Sequence, residues 1–326
     1  MQHERMSEFK ITLDDIERAA AVVYRTFGPT PQFAWPLLGA ELDAEVWVKH
    51  ENYTPAGAFK VRGGLVYFDA LVAGGTPPAG VISATRGNHG QSVGYAARKY
   101  NIPAIIVVPH GNSREKNAAM RAFGVELIEH GADFQESREY AARVAIERKL
   151  HMIASFHPHL VRGVATYALE LLRAVPDVAT VYVPIGQGSG ICGMIAARDA
   201  LGLNTEIVGV VSAHAPAYKL SFEARRHVEH AVTTELADGM ACRVPDDAAL
   251  DMMWRGVARV REVTDAEVAA AMRLYFSATH SVAEGAGAAP LAAALQEREK
   301  NRGRRIAVVL SGGNVDRDMF ARVLAA

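Results

Sequence analysis

A chain of 326 residues has room for two lobes or one large α/β domain, and its 50% hydrophobic and 22% charged residues are an ordinary globular balance. The formal net charge of −1 gives no electrostatic reason to expect nucleic acid or an anionic membrane as a partner. Only two cysteines occur, Cys192 and Cys242, without CxxC spacing, which disfavours a disulfide framework and a zinc ribbon. Residues 1–10 contain no apolar signal segment, so we expect a cytoplasmic protein.

Strand-like and helix-like segments alternate along the chain. Thr12 fits the N-cap of a first helix over residues 14–25, with Asp15 at its third position. Strands rich in Val and Ile are predicted at 45–50, 80–83, 104–108, 125–129, 180–184, 206–211 and 305–310, with helices at 88–100, 114–123, 134–148 and 190–201. This alternation predicts an α/β fold of parallel sheets covered by helices, with ligand sites at the carboxyl ends of strands.

Lys60 follows the first of these strands and is expected in a helix that starts near Gly57. Because Phe59 and Val61 flank it, the lysine is expected to be buried, which lowers the pKa of an amine. A neutral amine is a nucleophile suited to Schiff-base chemistry with an aldehyde cofactor. The alternative is a lysine whose stem covers the first turn while its ammonium reaches water, and Lys60 taken alone favours that alternative.

A glycine-rich segment, Pro184 to Gly193, connects a predicted strand to a helix. Closely spaced glycines at a helix N-terminus let backbone N–H groups surround an anion, which indicates phosphate binding. The same segment contains GxGxxG at Gly188, Gly190 and Gly193, a weak sign of a dinucleotide. The next strand ends without the acidic residue that would bind a ribose, so a monophosphate is favoured over NAD.

Two further turns follow predicted strands. In the first, Thr85, Gly87 and Asn88 would present backbone amides and a side-chain amide at a helix start, suited to a substrate carboxylate and a cofactor hydroxyl. The alternative is an ordinary N-cap. In the second, Ser311 could offer its hydroxyl to a ring nitrogen, or be a polar turn residue beside two glycines.

Together these segments resemble the serine/threonine dehydratase and serine racemase family of fold type II pyridoxal-phosphate (PLP) enzymes. The matching pieces are Ala58–Gly63, Gly87–Gln91, the glycine loop from Gly186, Ala237–Gly239 and Ser311–Asn314, in family order across nearly the whole chain. The resemblance implies a two-domain, tryptophan synthase β-like fold. Residues 1–77 and 153–326 would form a large PLP-binding domain, and residues 78–152 a small, mobile substrate-side domain. It also implies a homodimer or higher homo-oligomer.

The resemblance also implies the roles of single residues. Lys60 would hold PLP as a Schiff base and later move protons at the substrate Cα. The other cofactor contacts would come from Phe59 beside the ring, Asn88 at the 3-hydroxyl, Ser311 at the pyridine nitrogen, and Gly186, Gln187, Gly188, Ser189 and Gly190 at the phosphate. The substrate would contact Thr85, Arg86, Gly87, Asn88 and His89.

The implied reaction is that of a lyase. A neutral partner such as Ser311 does not force the ring nitrogen to stay protonated, which favours prompt loss of a β-substituent. We therefore expect a dehydratase, or ammonia-lyase, that converts a β-hydroxy amino acid of the threonine/serine type, or 3-hydroxyaspartate, to a 2-keto acid and ammonia. The alternatives are a serine or aspartate racemase on the same fold, an NAD-dependent dehydrogenase, and a non-catalytic binding protein.

Arg86 departs from the family pattern, in which a serine commonly precedes the Gly-Asn-His element and serves racemases as an acid and base. A guanidinium stays protonated and is a poor proton shuttle, so racemisation is disfavoured. Arg86 instead offers a bidentate fork for a second carboxylate, as in 3-hydroxyaspartate. Alternatively, it points away to an acidic neighbour.

A second departure concerns metal binding. Relatives that bind a divalent metal often carry Glu and Asp after the strand that ends at Val211, whereas Ser212–Ala217 contains neither, so no metal is expected. His159, Tyr218 and Lys219 are further candidates for a polar substrate pocket.

Overall fold

The computed structural model describes residues 10–326, in which two parallel sheets are surrounded by helices. The expectations for residues 1–9 lie outside this part of the chain. The strands are β1 (Gln32–Ala34), β2 (Glu45–His50), β3 (Val81–Ala84), β4 (Ala104–Val108), β5 (Glu126–Glu129), β6 (His151–Met152), β7 (Thr180–Pro184), β8 (Glu206–Ser212), β9 (Arg259–Val263) and β10 (Arg305–Leu310). The helices are α1 (Leu13–Tyr24), α2 (Pro36–Leu42), α3 (Lys60–Ala73), α4 (Asn88–Lys99), α5 (Arg114–Ala122), α6 (Phe134–Glu147), α7 (Pro158–Ala174), α8 (Ser189–Ala200), α9 (Ala217–Ala224), α10 (Asp247–Gly256), α11 (Asp265–Thr279), α12 (Gly285–Gln296), α13 (Arg298–Asn301) and α14 (Arg317–Ala325).

The larger sheet has six strands in the order β1-β2-β10-β7-β8-β9. All neighbours run parallel except the edge strand β1, which is antiparallel to β2. Successive residues of β10 point to opposite faces, as strand geometry requires. Ala307 and Val309 pack in one core with α7, α8 and α10, whereas Ile306 and Val308 pack in another with α11 and α12. Both faces of the sheet are therefore buried, and the predicted fold class is confirmed.

The smaller sheet has four parallel strands in the order β5-β4-β3-β6. Its strands all lie within residues 78–152, and those of the larger sheet lie on either side in the chain. Helix α6 packs on one face and α4 on the other. A division into a large domain (1–77 and 153–326) and a small, mobile domain (78–152) is in keeping with this arrangement and remains a proposal.

Helix α3 lies between the two sheets and packs against α4 and α7. A Cβ atom at Gly163 of α7 would lie 2.4 Å from the Arg62 carbonyl oxygen, so this close approach requires glycine. On the other side, the Ser92 hydroxyl of α4 donates to the Lys60 carbonyl oxygen at 2.6 Å. These contacts fix the first turn of α3, where Lys60 lies.

The expectation that this helix starts near Gly57 is wrong by three residues, since α3 begins at Lys60. Gly57 has φ of +66°, and the Thr54 hydroxyl accepts a hydrogen bond from the Ala58 amide at 3.0 Å and donates to the Ala58 carbonyl at 2.8 Å. The chain therefore forms a tight turn before the helix. Helix α1, by contrast, begins as predicted, with Thr12 as N-cap in a capping box with Asp15.

None of the helices within residues 10–326 is long and apolar enough to cross a membrane.

Candidate active site

A cleft lies where the carboxyl ends of strands from both sheets meet. The turns after β3, β7 and β10 all open into it, as expected for parallel sheets. The residues to which the family resemblance assigns cofactor or substrate contacts all line this cleft: Phe59, Lys60, Thr85, Arg86, Gly87, Asn88, His89, Gly186, Gln187, Gly188, Ser189, Gly190 and Ser311. Segments far apart in the chain are thus brought together around one space.

The Lys60 amine faces the cleft from the first turn of α3. It donates a hydrogen bond to the Ser189 hydroxyl at 3.1 Å and lies 5.1 Å from the centre of the Phe59 ring. No carboxylate of the described residues pairs with it. Burial therefore acts unopposed and lowers the pKa of Lys60 from 10.5 to about 8. About a tenth of the amine is then neutral at pH 7, far more than for an ordinary lysine, and the neutral form is the one that nucleophilic chemistry requires.

The glycine loop between β7 and α8 presents a row of backbone amides to the cleft. Gly188, the N-cap of α8, has φ of +96°, a conformation that favours glycine, and a Cβ there would lie 2.5 Å from Ala249. The N–H groups of Gly186, Gln187 and Gly188 have no acceptor within residues 10–326. With the first amides of α8 they form a concave anion site at a helix N-terminus.

The turn between β3 and α4 forms a second set of donors. The Thr85 hydroxyl accepts from the Gly87 amide at 2.9 Å and fixes the turn. The amides of Asn88 and His89 have no acceptor among the described residues and point out of the start of α4. Burial lowers the pKa of His89 to about 3, with the Lys60 charge adding to the effect, so the imidazole is neutral and only weakly basic. This turn suits a carboxylate.

Ser311 and Phe59 complete the wall opposite the small sheet. Ser311, directly after β10, is buried, and its carbonyl oxygen accepts from the Phe59 amide at 3.0 Å. The Phe59 ring lies edge-on to Tyr167, with centroids 6.0 Å apart, and a Cβ at Gly190 would lie 3.5 Å from it. The ring is therefore fixed across the entrance to the glycine loop.

Sequence reasoning missed a polar bridge between the parts of the chain that carry the two sheets. Lys116 of α5 reaches across the cleft to Asp238, 2.7 and 2.9 Å from its two carboxylate oxygens, and to Glu284 at 3.2 Å. Burial by itself opposes the charge on Lys116, but these two carboxylates hold the pKa of Lys116 well above its ordinary value. Glu284 also accepts from the Asn88 side chain at 2.6 Å, and Asn314 donates to Asn88 at 2.9 Å, so the Asn88 amide has a fixed orientation.

Only part of this network had a signal in the sequence. Asp238 and Asn314 lie within two of the segments that carry the family resemblance. Lys116 lies in an ordinary amphipathic helix, and Glu284 precedes an alanine-rich one, so neither is distinguished by its local pattern. Phe134 and Cys242 also line the cleft.

Three residues proposed for a polar pocket, His159, Tyr218 and Lys219, do not line the cleft. Tyr218 instead lies beneath the glycine loop, where its hydroxyl donates to the Gln187 carbonyl oxygen at 3.1 Å. It is completely buried, so it supports the loop rather than contacting a substrate. No cluster of metal-ligating residues occurs within residues 10–326, and the expectation of no metal remains a prediction.

Comparison with known proteins identifies the family. A family model described as pyridoxal-phosphate dependent enzyme matches residues 23–312. The chain belongs to this family. An L-threonine ammonia-lyase of Thermotoga maritima is 31% identical over 315 residues, covering 96% of this chain and 78% of that protein. An L-threonine ammonia-lyase of Geobacter sulfurreducens is 34% identical over 282 residues, covering 85% and 69%. The structure of maize serine racemase superposes with a TM-score of 0.89 at 28% identity, covering 96% of this chain and 97% of that one.

These relationships confirm the predicted serine/threonine dehydratase and serine racemase family, PLP as the cofactor, and a lyase of the ammonia-lyase type. The family match includes Gly188–Gly193, so the interpretation of that segment as an NAD site has no support. The cleft also fits PLP chemically. It contains a lysine amine of lowered pKa, an anion site of free backbone amides and a neutral hydroxyl at Ser311.

Proposed function

We propose that the protein is a PLP-dependent dehydratase of a β-hydroxy amino acid, which releases a 2-keto acid and ammonia. The observation that carries the proposal is the Lys60 amine, which is partly buried, has no carboxylate partner among the described residues and faces two separate anion sites across one cleft. Such an arrangement suits an aldehyde cofactor with a phosphate and a substrate with a carboxylate.

In this proposal each cleft residue holds one part of the cofactor. Lys60 would bind the aldehyde carbon, and the loop from Gly186 to Gly190, whose amides are free, would hold the phosphate. Asn88, oriented by Glu284, would donate its second side-chain N–H to the 3-hydroxyl. Ser311 would face the ring nitrogen, and Phe59 would pack beside the ring, since both line the cleft. The substrate carboxylate binds the turn from Thr85 to His89.

When bound, PLP supplies an electron sink conjugated with the substrate Cα. Lys60 removes the Cα proton, since burial lowers its pKa to about 8 and leaves a usable fraction of neutral amine. The neutral hydroxyl of Ser311 does not hold a proton on the ring nitrogen as a carboxylate would. The negative charge that develops at Cα is therefore expected to expel the β-substituent promptly rather than to persist in a long-lived intermediate.

The atoms balance without a further reactant. The Cα–H and Cβ–O bonds break, a double bond forms between Cα and Cβ, and the proton removed from Cα balances the one that the leaving hydroxide takes up as water. The released enamine tautomerises to an imine, in which Cβ gains a proton and the nitrogen loses one. Addition of water to the imine then gives the 2-keto acid and ammonia, so water lost in the first stage is regained in the second.

Racemisation would need a second acid and base on the opposite side of Cα. Among the described cleft residues, His89 is only weakly basic and Lys116 is held as an ammonium by Asp238 and Glu284. Arg86 stands where racemases of the family commonly have serine, and a guanidinium is a poor proton shuttle. The geometry therefore favours elimination. A cytoplasmic location and a homo-oligomeric state are part of the same proposal.

The test is a panel of L-serine, L-threonine and the stereoisomers of 3-hydroxyaspartate, with keto-acid and ammonia release as readouts and a chiral assay of the remaining amino acid. We expect equal amounts of keto acid and ammonia from at least one of these compounds, with little of the opposite enantiomer. Accumulation of the enantiomer without ammonia would support a racemase instead, the function of the maize structural relative.

A further inference from the structure

Arg86 is a cleft residue whose charge has no partner among residues 10–326. It lies in the turn between β3 and α4 and lines the cleft with Lys60, Phe134 and Ser155. Its side chain is partly buried, and its Nε has no hydrogen-bond acceptor in the described part of the chain. No carboxylate of residues 10–326 forms an ion pair with its guanidinium, so an acidic neighbour does not account for this side chain.

The buried lysine and arginine side chains of the described residues, unlike Arg86, form ion pairs with carboxylates. Lys49 pairs with Glu170 at 2.6 Å, and Arg62 pairs with Glu51 and Glu170, both at 2.7 Å. Lys116 pairs with two carboxylates as described above. A buried guanidinium N–H without an acceptor costs free energy, and each of these three buried cations has carboxylate partners within the protein. At Arg86, which faces the cleft, a bound anion would supply the missing acceptor.

The other anions of the proposed reaction already have donors. The free amides of the glycine loop suit the cofactor phosphate, and those of Asn88 and His89 suit the α-carboxylate. Arg86 therefore corresponds to a third anion in the same cleft. The part of the substrate that remains is its side chain, and a planar guanidinium matches a carboxylate in bidentate geometry.

We propose that Arg86 is a specificity-determining residue and that the preferred substrate is a β-hydroxy amino acid with a second carboxylate on Cβ, such as 3-hydroxyaspartate. The inference rests on the proposed function, because it assigns a substrate class to the same reaction. A compound with a methyl group or hydrogen at this position, such as threonine or serine, leaves the guanidinium unpaired and binds less well.

Binding of unreactive acids to the PLP-loaded enzyme tests the subsite without turnover. Succinate and butyrate share a carboxylate and a four-carbon chain, and only succinate has the second carboxylate. By calorimetry we expect the wild type to bind succinate at least about tenfold more tightly than butyrate. Arg86→Ser and Arg86→Gln should abolish this preference, and Arg86→Lys should keep part of it. Equal binding of the two acids by the wild type overturns the inference and requires no variant.

Turnover gives the second readout. In Arg86→Ser, the ratio of kcat/KM on 3-hydroxyaspartate to that on threonine should fall about 10- to 100-fold. The control is Arg243→Ser, which also removes a positive charge near the cleft. Because Arg243 is paired with Asp133 at 3.1 Å, this variant should not change the ratio of kcat/KM values. Equal losses on both substrates in Arg86→Ser overturn the subsite.

The two proposals fail separately. Suppose that the wild type prefers succinate through Arg86 but releases no keto acid from any member of the panel. The dehydratase function is then wrong, and the anion subsite is supported. If keto acid is released but dicarboxylates are not preferred, the dehydratase function is supported and the subsite is wrong.

Discussion

The Lys60 amine donates a hydrogen bond to the Ser189 hydroxyl at 3.1 Å, which joins the first turn of α3 to the first turn of α8. It thereby places a nucleophile at the edge of the glycine loop. Lys116 lines the same cleft, but Asp238 and Glu284 hold it as an ammonium. Two lysines in one cleft thus have opposite properties, because one has carboxylate partners and the other has none among the described residues.

Loading of PLP into the apoenzyme should depend on pH through Lys60. Only the neutral amine attacks an aldehyde, so the loading rate should fall about tenfold per pH unit below the pKa of Lys60, which burial lowers to about 8, and level off above it. Stopped-flow absorbance measures the rate. Pyridoxamine 5′-phosphate has no aldehyde and should bind without this dependence. A midpoint at the ordinary lysine value of 10.5 would contradict the assigned environment.

The glycine loop should tolerate no side chain at its N-cap. Gly188→Ala forces an alanine into φ of +96° and against Ala249, so the loop must move and we expect the Kd for PLP to rise by at least about tenfold. Gly202→Ala is the matched control, because Gly202 also has positive φ, at +66°, but has open space around it at the far end of α8. Fluorescence titration should show PLP affinity changed in the first variant only. If the two variants bind PLP with equal affinity, the glycine loop is not part of the cofactor site.

The Lys116–Asp238 pair should couple the two sheet-bearing parts of the chain. In a double-mutant cycle of Lys116→Met and Asp238→Asn, we expect a coupling of about 2 kcal/mol in the free energy of unfolding, because the pair is largely shielded from water. The control cycle is on Arg114 and Asp318, an exposed pair 3.9 Å apart, where the coupling should be under about 0.5 kcal/mol. Urea unfolding at saturating PLP measures both. The same small coupling in both cycles would show that the bridge does not hold the cleft.

Glu170 should matter for stability although it is outside the cleft. Its carboxylate pairs with Lys49 and Arg62, and Glu170→Gln leaves these buried cations undercompensated, so we expect a loss of about 3 kcal/mol. Glu17→Gln breaks the exposed ion pair with Arg173 and should cost less than about 1 kcal/mol. Chemical unfolding compares the two variants. If Glu170→Gln is as mild as Glu17→Gln, the buried network is not a major source of stability.

The sequence indicated the parts of this site whose chemistry is local. The glycine loop can be recognised in the sequence because an anion site at a helix start needs closely spaced glycines. Ser311 can be recognised because it directly follows an apolar strand. The capping box at Thr12 is equally local. The start of α3 was misplaced because the Thr54–Ala58 turn is set by side-chain hydrogen bonds that helix propensity does not describe.

The parts that depend on tertiary structure had no such signal. Lys116 and Glu284 are 168 residues apart in the chain. They form an ion pair only because α5 and the start of α12 face each other across the cleft. Arg86 could be recognised as unusual from its neighbours in the chain, but whether it had an acidic partner depended on residues from other elements. The raised pKa of Lys116 follows from such long-range contacts with Asp238 and Glu284, whereas the lowered pKa of Lys60 was expected from its apolar neighbours in the chain.

The most direct test of the account is the identity of the lysine that carries the cofactor. Borohydride reduction of the PLP-loaded enzyme, followed by proteolysis and mass spectrometry, marks that residue permanently. We predict a pyridoxyl group on Lys60, and none on any lysine in Lys60→Ala. Labelling of Lys116, the other lysine of the cleft, or of no lysine at all would contradict the central claim.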